Sequence, residues 1–249
     1  MRFMTAAAAL GLITAGANAD ILLNQTVQSQ ATEPLLGALS GQVYELDDSD
    51  INNPIWIQRQ HLAADDFQVS GGGWSVTSIS TYMHFVGETP LEYRLDIFGD
   101  NGGQPGALVA SFTTTNATFN QIWNGRALFE VNFDLGGLNL ADGTYWASSV
   151  GIGDPGSNDV NNPDWTGVVY WATSNRGNPN GSGASGQLEQ FGFTDWTPYT
   201  SIWDFVDPDF DGLNRDMAML IQGTVIPSPG ALALIGLAGL LGYSRRRRS

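Results

Sequence analysis

Leu91-Glu92-Tyr93-Arg94-Leu95-Asp96-Ile97 alternates apolar and polar residues without a break, the period-two pattern of a strand with one face in a core. It directs Leu91, Tyr93, Leu95 and Ile97 inward and Glu92, Arg94 and Asp96 toward solvent. Phe129-Glu130-Val131-Asn132-Phe133-Asp134-Leu135 repeats the pattern. Further strands are expected at residues 42–46, 64–69, 74–86, 107–113, 144–152, 167–173 and 217–225. Glycine- and Asx-rich links separate them, among them Gly71-Gly72-Gly73, Gly99-Asp100-Asn101-Gly102-Gly103 and Ala141-Asp142-Gly143. Residues 20–224 hold no long amphipathic helical stretch and no internal repeat. Many short strands at this spacing predict an all-β fold, an antiparallel β-sandwich of jelly-roll type.

Composition narrows the function classes. The chain has 249 residues, with Gly 31 and Trp 8 but only 14% charged residues, the profile of a turn-rich aromatic β protein. Cys 0 excludes a disulfide framework, a thiolate nucleophile and an iron–sulfur cluster. His61 and His84 are the two histidines, too few for a three-histidine metal site. A formal net charge of -15 repels phosphate backbones, so nucleic acid is not an expected partner.

The two ends read as addresses. Residues 1–19 begin with Arg2, continue through an apolar stretch and end in Ala17-Asn18-Ala19, the layout of a secretory signal peptide. At the other end, Val225-Ile226-Pro227-Ser228-Pro229-Gly230 leads into an apolar run over 231–243 and then Arg245, Arg246, Arg247 and Arg248. As a helix that run spans about 20 Å, short of a hydrocarbon core of roughly 30 Å. The arginine cluster favours the cytoplasmic side and leaves residues 20–224 outside. Three parts follow: a signal peptide at 1–19, a single β domain at 20–224 and a hydrophobic tail at 225–249.

A proline motif, a Leu/Ala/Gly-rich helix and a terminal arginine cluster, paired with a signal peptide, resemble the PEP-CTERM sorting proteins of bacteria. The resemblance covers the tail, and Ser228 replaces the family's middle glutamate. It implies an exosortase-like membrane protease that cuts near Pro227-Ser228-Pro229, transient retention in the inner membrane, and delivery to the cell surface or an extracellular matrix. A plain permanent C-terminal anchor is the alternative. The stretch from Ala64-Asp65-Asp66-Phe67 through Gly72-Gly73-Trp74 to Asp100 and Gly106 is similar to a module of other exported bacterial sandwiches, and that likeness implies no activity.

Without the two ends, five arginines (Arg59, Arg94, Arg126, Arg176 and Arg215) face all 25 acids, a charge of about -20. Such a surface favours solubility and attracts divalent cations rather than an anionic membrane. Asp207, Asp209 and Asp211 alternate before Gly212, and Asp216 follows. These carboxylates can converge on a hard cation, and calcium is the expected ion. Position twelve of the loop is Ala218 instead of a bidentate glutamate, so a solvated acidic turn is the alternative.

Glu45, Asp47 and Asp50 nearly reproduce the acidic triplet of some jelly-roll glycoside hydrolases. The shorter Asp50 and its turn-like surroundings weigh against catalysis, as does the lack of a Gly-x-Ser-x-Gly elbow. His84 reads as a core or edge residue. Trp74, Trp146 and Trp171 fit a core. Trp123, Trp165, Trp196 and Trp203 instead lie among Asn, Asp and Gln, where an exposed ring stacks on a sugar face while amides and carboxylates bind hydroxyls. The expected function is a non-catalytic polysaccharide-binding module. A secreted carbohydrate-active hydrolase and a self-assembling matrix protein are the alternatives, the last because a chain with no lysine lacks a common guard of strand edges.

Overall fold

The computed structural model describes residues 19–25, 37–39, 41–47, 55–86, 89–123, 126–152, 168–172, 185–189, 196–198 and 217–227. Among these residues the regular elements are all strands: β1 (Asp20–Gln25), β2 (Gly37–Leu39), β3 (Gly41–Asp47), β4 (Ile55–Val69), β5 (Trp74–Val86), β6 (Glu92–Asp100), β7 (Pro105–Thr114), β8 (Ala117–Trp123), β9 (Arg126–Leu140), β10 (Gly143–Ile152), β11 (Val168–Ala172), β12 (Ser185–Glu189), β13 (Thr197–Pro198) and β14 (Met219–Val225).

They form two seven-stranded sheets. In the first, β14 and β11 lie end to end along one edge of β5, with β1 outside β14 and β2 outside β11; β9 takes the other edge of β5 and β8 lies outside β9. The second runs β13-β12-β4-β3-β10-β6-β7, with β4 also paired to β10. Pairing is antiparallel apart from a single parallel contact, Gly151 with Gly41.

One apolar cluster joins the sheets. Ile79, Met83, Val131, Phe133 and Ile221 come from the first sheet, and Phe67, Leu95, Ile97 and Ala147 from the second. The two sheets therefore pack face to face. Full burial of each large side chain here contributes about 1.5–3 kcal/mol. The Phe67 and Trp74 rings stack between the sheets at 6.3 Å.

At the seam from β4 to β5, Gly71, Gly72 and Gly73 all have positive φ, and a Cβ on Gly73 would lie 2.7 Å from the Leu140 carbonyl oxygen. Only glycine fits that conformation and that space. Across the seam, Gly72 N–H donates to the Asp142 carboxylate at 2.9 Å.

Two expectations for the opening heptad are corrected. Leu91 precedes the first strand residue, Glu92, and is 56% exposed instead of inward. Asp96 does point away from the shared core, yet it is buried, because that outer face is covered. Strands β1, β2, β8, β12 and β13 were not among those expected. Trp74, Trp146 and Trp171 are all buried.

The ends of the β domain lie side by side. Asp20 pairs with Gly223, Val225 pairs with Trp74, and Ile226 N–H donates to the Gly73 carbonyl at 2.8 Å. Sheet pairing thus runs two residues past 224 before the exposed Pro227. Among the described residues no helix is long and apolar enough to cross a membrane; residues 228–249 of the expected tail lie outside them.

Candidate functional site

Alternate residues of β10 and β6 turn their side chains away from the shared core. In register these are Trp146 beside Phe98, Ser148 beside Asp96 and Val150 beside Arg94. On an open sheet this face would meet water. Here Trp146, Ser148 and Val150 are fully buried and Asp96 is nearly so.

The polar groups on this face are specifically held. The Asp96 carboxylate accepts from Arg94 Nε at 2.9 Å and from Ser111 Oγ at 2.6 Å. Charge-assisted bonds of this kind offset the cost of burying the acid. Ser148 Oγ is also buried and finds no hydrogen-bond partner among the described residues.

At the rim, the link from β6 to β7 does two jobs. Asp100 accepts the Trp146 indole N–H at 2.9 Å and the Gly102 and Gly103 amides at 3.1 Å, which shapes the turn around a carboxylate. Gln104 then donates Nε2–H to the Trp196 carbonyl at 3.2 Å. The half-buried Trp196 ring meets Phe98 edge-on, centroids 5.8 Å apart. Trp196, Phe98 and Trp146 thus form an aromatic series running from the rim to the sheet, bordered by the exposed Asp100, Asn101 and Gln104.

Of the four expected sugar-stacking residues, Trp196 is the one placed at this rim. Trp123 is the last residue of β8, paired with Arg126 in the other sheet. Trp165 and Trp203 lie outside the described residues, as do the expected cation ligands Asp207, Asp209, Asp211 and Asp216. Pro227 follows β14, whereas Ser228, Pro229 and Arg245, Arg246, Arg247 and Arg248 fall outside. Glu45 and Asp47 lie on β3 opposite Ile57 and Ile55, and Asp50 is outside. His84 is buried on β5, its ring stacked on Tyr170 at 4.9 Å. Among the described residues no group of three or more His, Cys, Asp or Glu is placed to hold a metal ion.

Asp100, Gln104, Phe98 and Ser148 were not singled out from the sequence. The first two sit in a link legible only as a turn, and the last two in ordinary strand positions. What fold and rim define is an all-β protein with two stacked sheets and one aromatic–amide edge. No protein-family model matches the chain, and no curated protein matches it.

Proposed function

We propose that this chain is an exported, surface-sorted β-sandwich of jelly-roll type that binds polysaccharide without catalysing its breakdown. The observation that carries this is Trp196, held against Phe98 and tied by Gln104 next to Asn101 and Asp100. An indole face stacks on the C–H side of a pyranose, and neighbouring amides and carboxylates bind its hydroxyls. Trp165 and Trp203 would extend the surface, whereas Trp123, at the far end of the other sheet, would not; calcium held by Asp207, Asp209, Asp211 and Asp216 would brace the binding face.

The pairing of β1 with β14 supports the sorting part. The first and last strands of the domain close on each other, so a leader before Asp20 and a tail after Ile226 both leave from one place and can be cut without opening the core. An exosortase-like membrane protease would act near Pro227-Ser228-Pro229 while Arg245 to Arg248 hold the tail in the inner membrane.

Affinity electrophoresis and a glycan array of the full chain, with calcium and with chelator, test the reading. Wild type binds, and Trp196→Ala weakens binding about tenfold. Absence of binding to any polysaccharide under either condition sinks it. Release of reducing sugar that disappears in Glu45→Gln would make the protein a hydrolase instead.

A further inference from the structure

β7 is the outer strand of the second sheet and β8 the outer strand of the first, and among the described residues each pairs on one side only. They follow one another directly. Asn116 N–H bonds Thr114 Oγ1 and Ala117 N–H bonds the Thr115 carbonyl, so the chain steps from sheet to sheet at 115–116. One side of the stack is therefore walled by two consecutive edge strands.

This side differs from the rest of the chain in charge. Residues 101–125 contain no acid and no base, in a protein with 25 acids and no lysine. From Gly106 to Gly125 there is no proline either. Edge strands are normally guarded by charge, proline or bulges. Here Leu108 is 57% exposed, Val109 46%, Phe119 52% and Ile122 51%. Bulges interrupt β7 near Phe98, but residues 110–114 pair regularly with β6 and leave an even outer edge.

We infer that β7, through its regular stretch 110–114, pairs antiparallel with the same strand of a second copy, the exposed Thr113 opposite Thr113, continuing the second sheet across a two-fold axis. An antiparallel strand edge is complementary to itself, so one sequence supplies both partners. Charge selects the place. Copies carrying -15 repel one another, and an uncharged edge brings them together with the least repulsion. Salt screens that repulsion, so association strengthens as sodium chloride is added, opposite to an ion-paired interface. The contact is smaller than the roughly 1,000 Å² of a stable dimer, so it is concentration-dependent. This inference does not depend on the glycan reading.

The chain's lack of cysteine makes the test clean. In the full chain, Thr113→Cys places two thiols near the two-fold, where antiparallel neighbours about 4.5–5.5 Å apart at Cα fall within disulfide range. Under mild oxidation its covalent dimer forms at least about tenfold faster than that of Ser70→Cys, an exposed residue on a different turn. In sedimentation at high salt, Thr113→Lys shifts the dimer to monomer, whereas Ile21→Lys, at an exposed site on β1 of the other sheet, leaves it dimeric. Three outcomes overturn the proposal: equal cross-linking at 113 and 70, a dimer that survives Thr113→Lys as tail-driven association would, or association that needs calcium at fixed ionic strength.

Discussion

Asp65 on β4 and Met217 just before β14 belong to opposite sheets, and the Asp65 carboxylate accepts the Met217 amide N–H at 2.7 Å. Its other oxygen accepts the Asp66 amide at 3.0 Å, and the side chain is fully buried. The same short segment is held a second way, by Ala218 N–H to the Ala172 carbonyl and by the Trp171 indole N–H to the Ala218 carbonyl. Asp65 thus fixes where the last strand enters the first sheet.

Asn at 65 offers one acceptor oxygen where two amide donors converge, and turns its NH₂ toward the other. Asp65→Asn should therefore cost about 2–3 kcal/mol, and Asp65→Ala about 3–5 kcal/mol. Urea denaturation measures both. An Asp65→Asn variant as stable as wild type would show that the carboxylate does not link the sheets.

A second polar link between sheets joins the Thr81 and Ser149 hydroxyls at 2.9 Å, both buried. Removing one partner leaves the other's hydroxyl short of that bond. Thr81→Val and Ser149→Ala are each expected to cost about 1–2 kcal/mol, with the double variant losing less than the sum by about 1 kcal/mol. A double-mutant cycle by thermal and urea denaturation checks this, and strict additivity would contradict it.

Tyr93 and Tyr82 predict the alkaline behaviour. Burial pushes the Tyr93 phenol up to about 12 from 10.0, and burial followed by the nearby Glu130 does the same for Tyr82. Between pH 10 and 12 the unfolded chain gives up protons that the folded one retains, so each phenol reduces stability as pH rises through that window and leaves it unchanged below. Absorbance at the phenolate band should show both groups ionising last. The Tyr93 hydroxyl is buried with no partner among the described residues, so Tyr93→Phe should be neutral or stabilising by up to about 1 kcal/mol at pH 7 and should raise the alkaline unfolding midpoint. A loss above that size would reveal a bond to the hydroxyl.

Strand residues facing the shared core were legible because one buried face imposes alternation. The bounds of β5, 74–86, follow from its pattern between glycines and the next turn, and Tyr93, Leu95 and Ile97 lie inward as expected. Asp96 and Ser148 were not legible as buried, since burial of an outer face depends on chain segments distant in sequence. β8 was hidden for a similar reason: Asn120-Gln121-Ile122-Trp123 looks like turn, and its strand form comes from pairing with β9. Trp196 could be selected by its neighbours in sequence; its contacts with Phe98 and Gln104 required the fold.

Gly223 tests whether the two ends of the β domain depend on one another. A Cβ at this position would run into the Ser75 carbonyl oxygen and lie 2.9 Å from Val76 Cα, both of them backbone atoms of the neighbouring strand. Register shifts sit on either side, between Gln222 and Gly223 against β5 and between Val76 and Ser78 against β9. A backbone neighbour cannot swing aside as a side chain can, so Gly223→Ala must pry β14 from β5, at an expected cost of about 3 kcal/mol. Among the described residues β1 pairs with β14 alone and should loosen with it, exposing residues 20–25 to limited proteolysis. Gly102→Ala is the matched control: φ is +71° with nothing within 4 Å, so its cost is backbone strain alone, about 1–2 kcal/mol. If Gly223→Ala unfolds no more easily than Gly102→Ala and the first strand stays protected, β5 and β14 do not approach as closely as described, and the domain's ends are not locked by this contact.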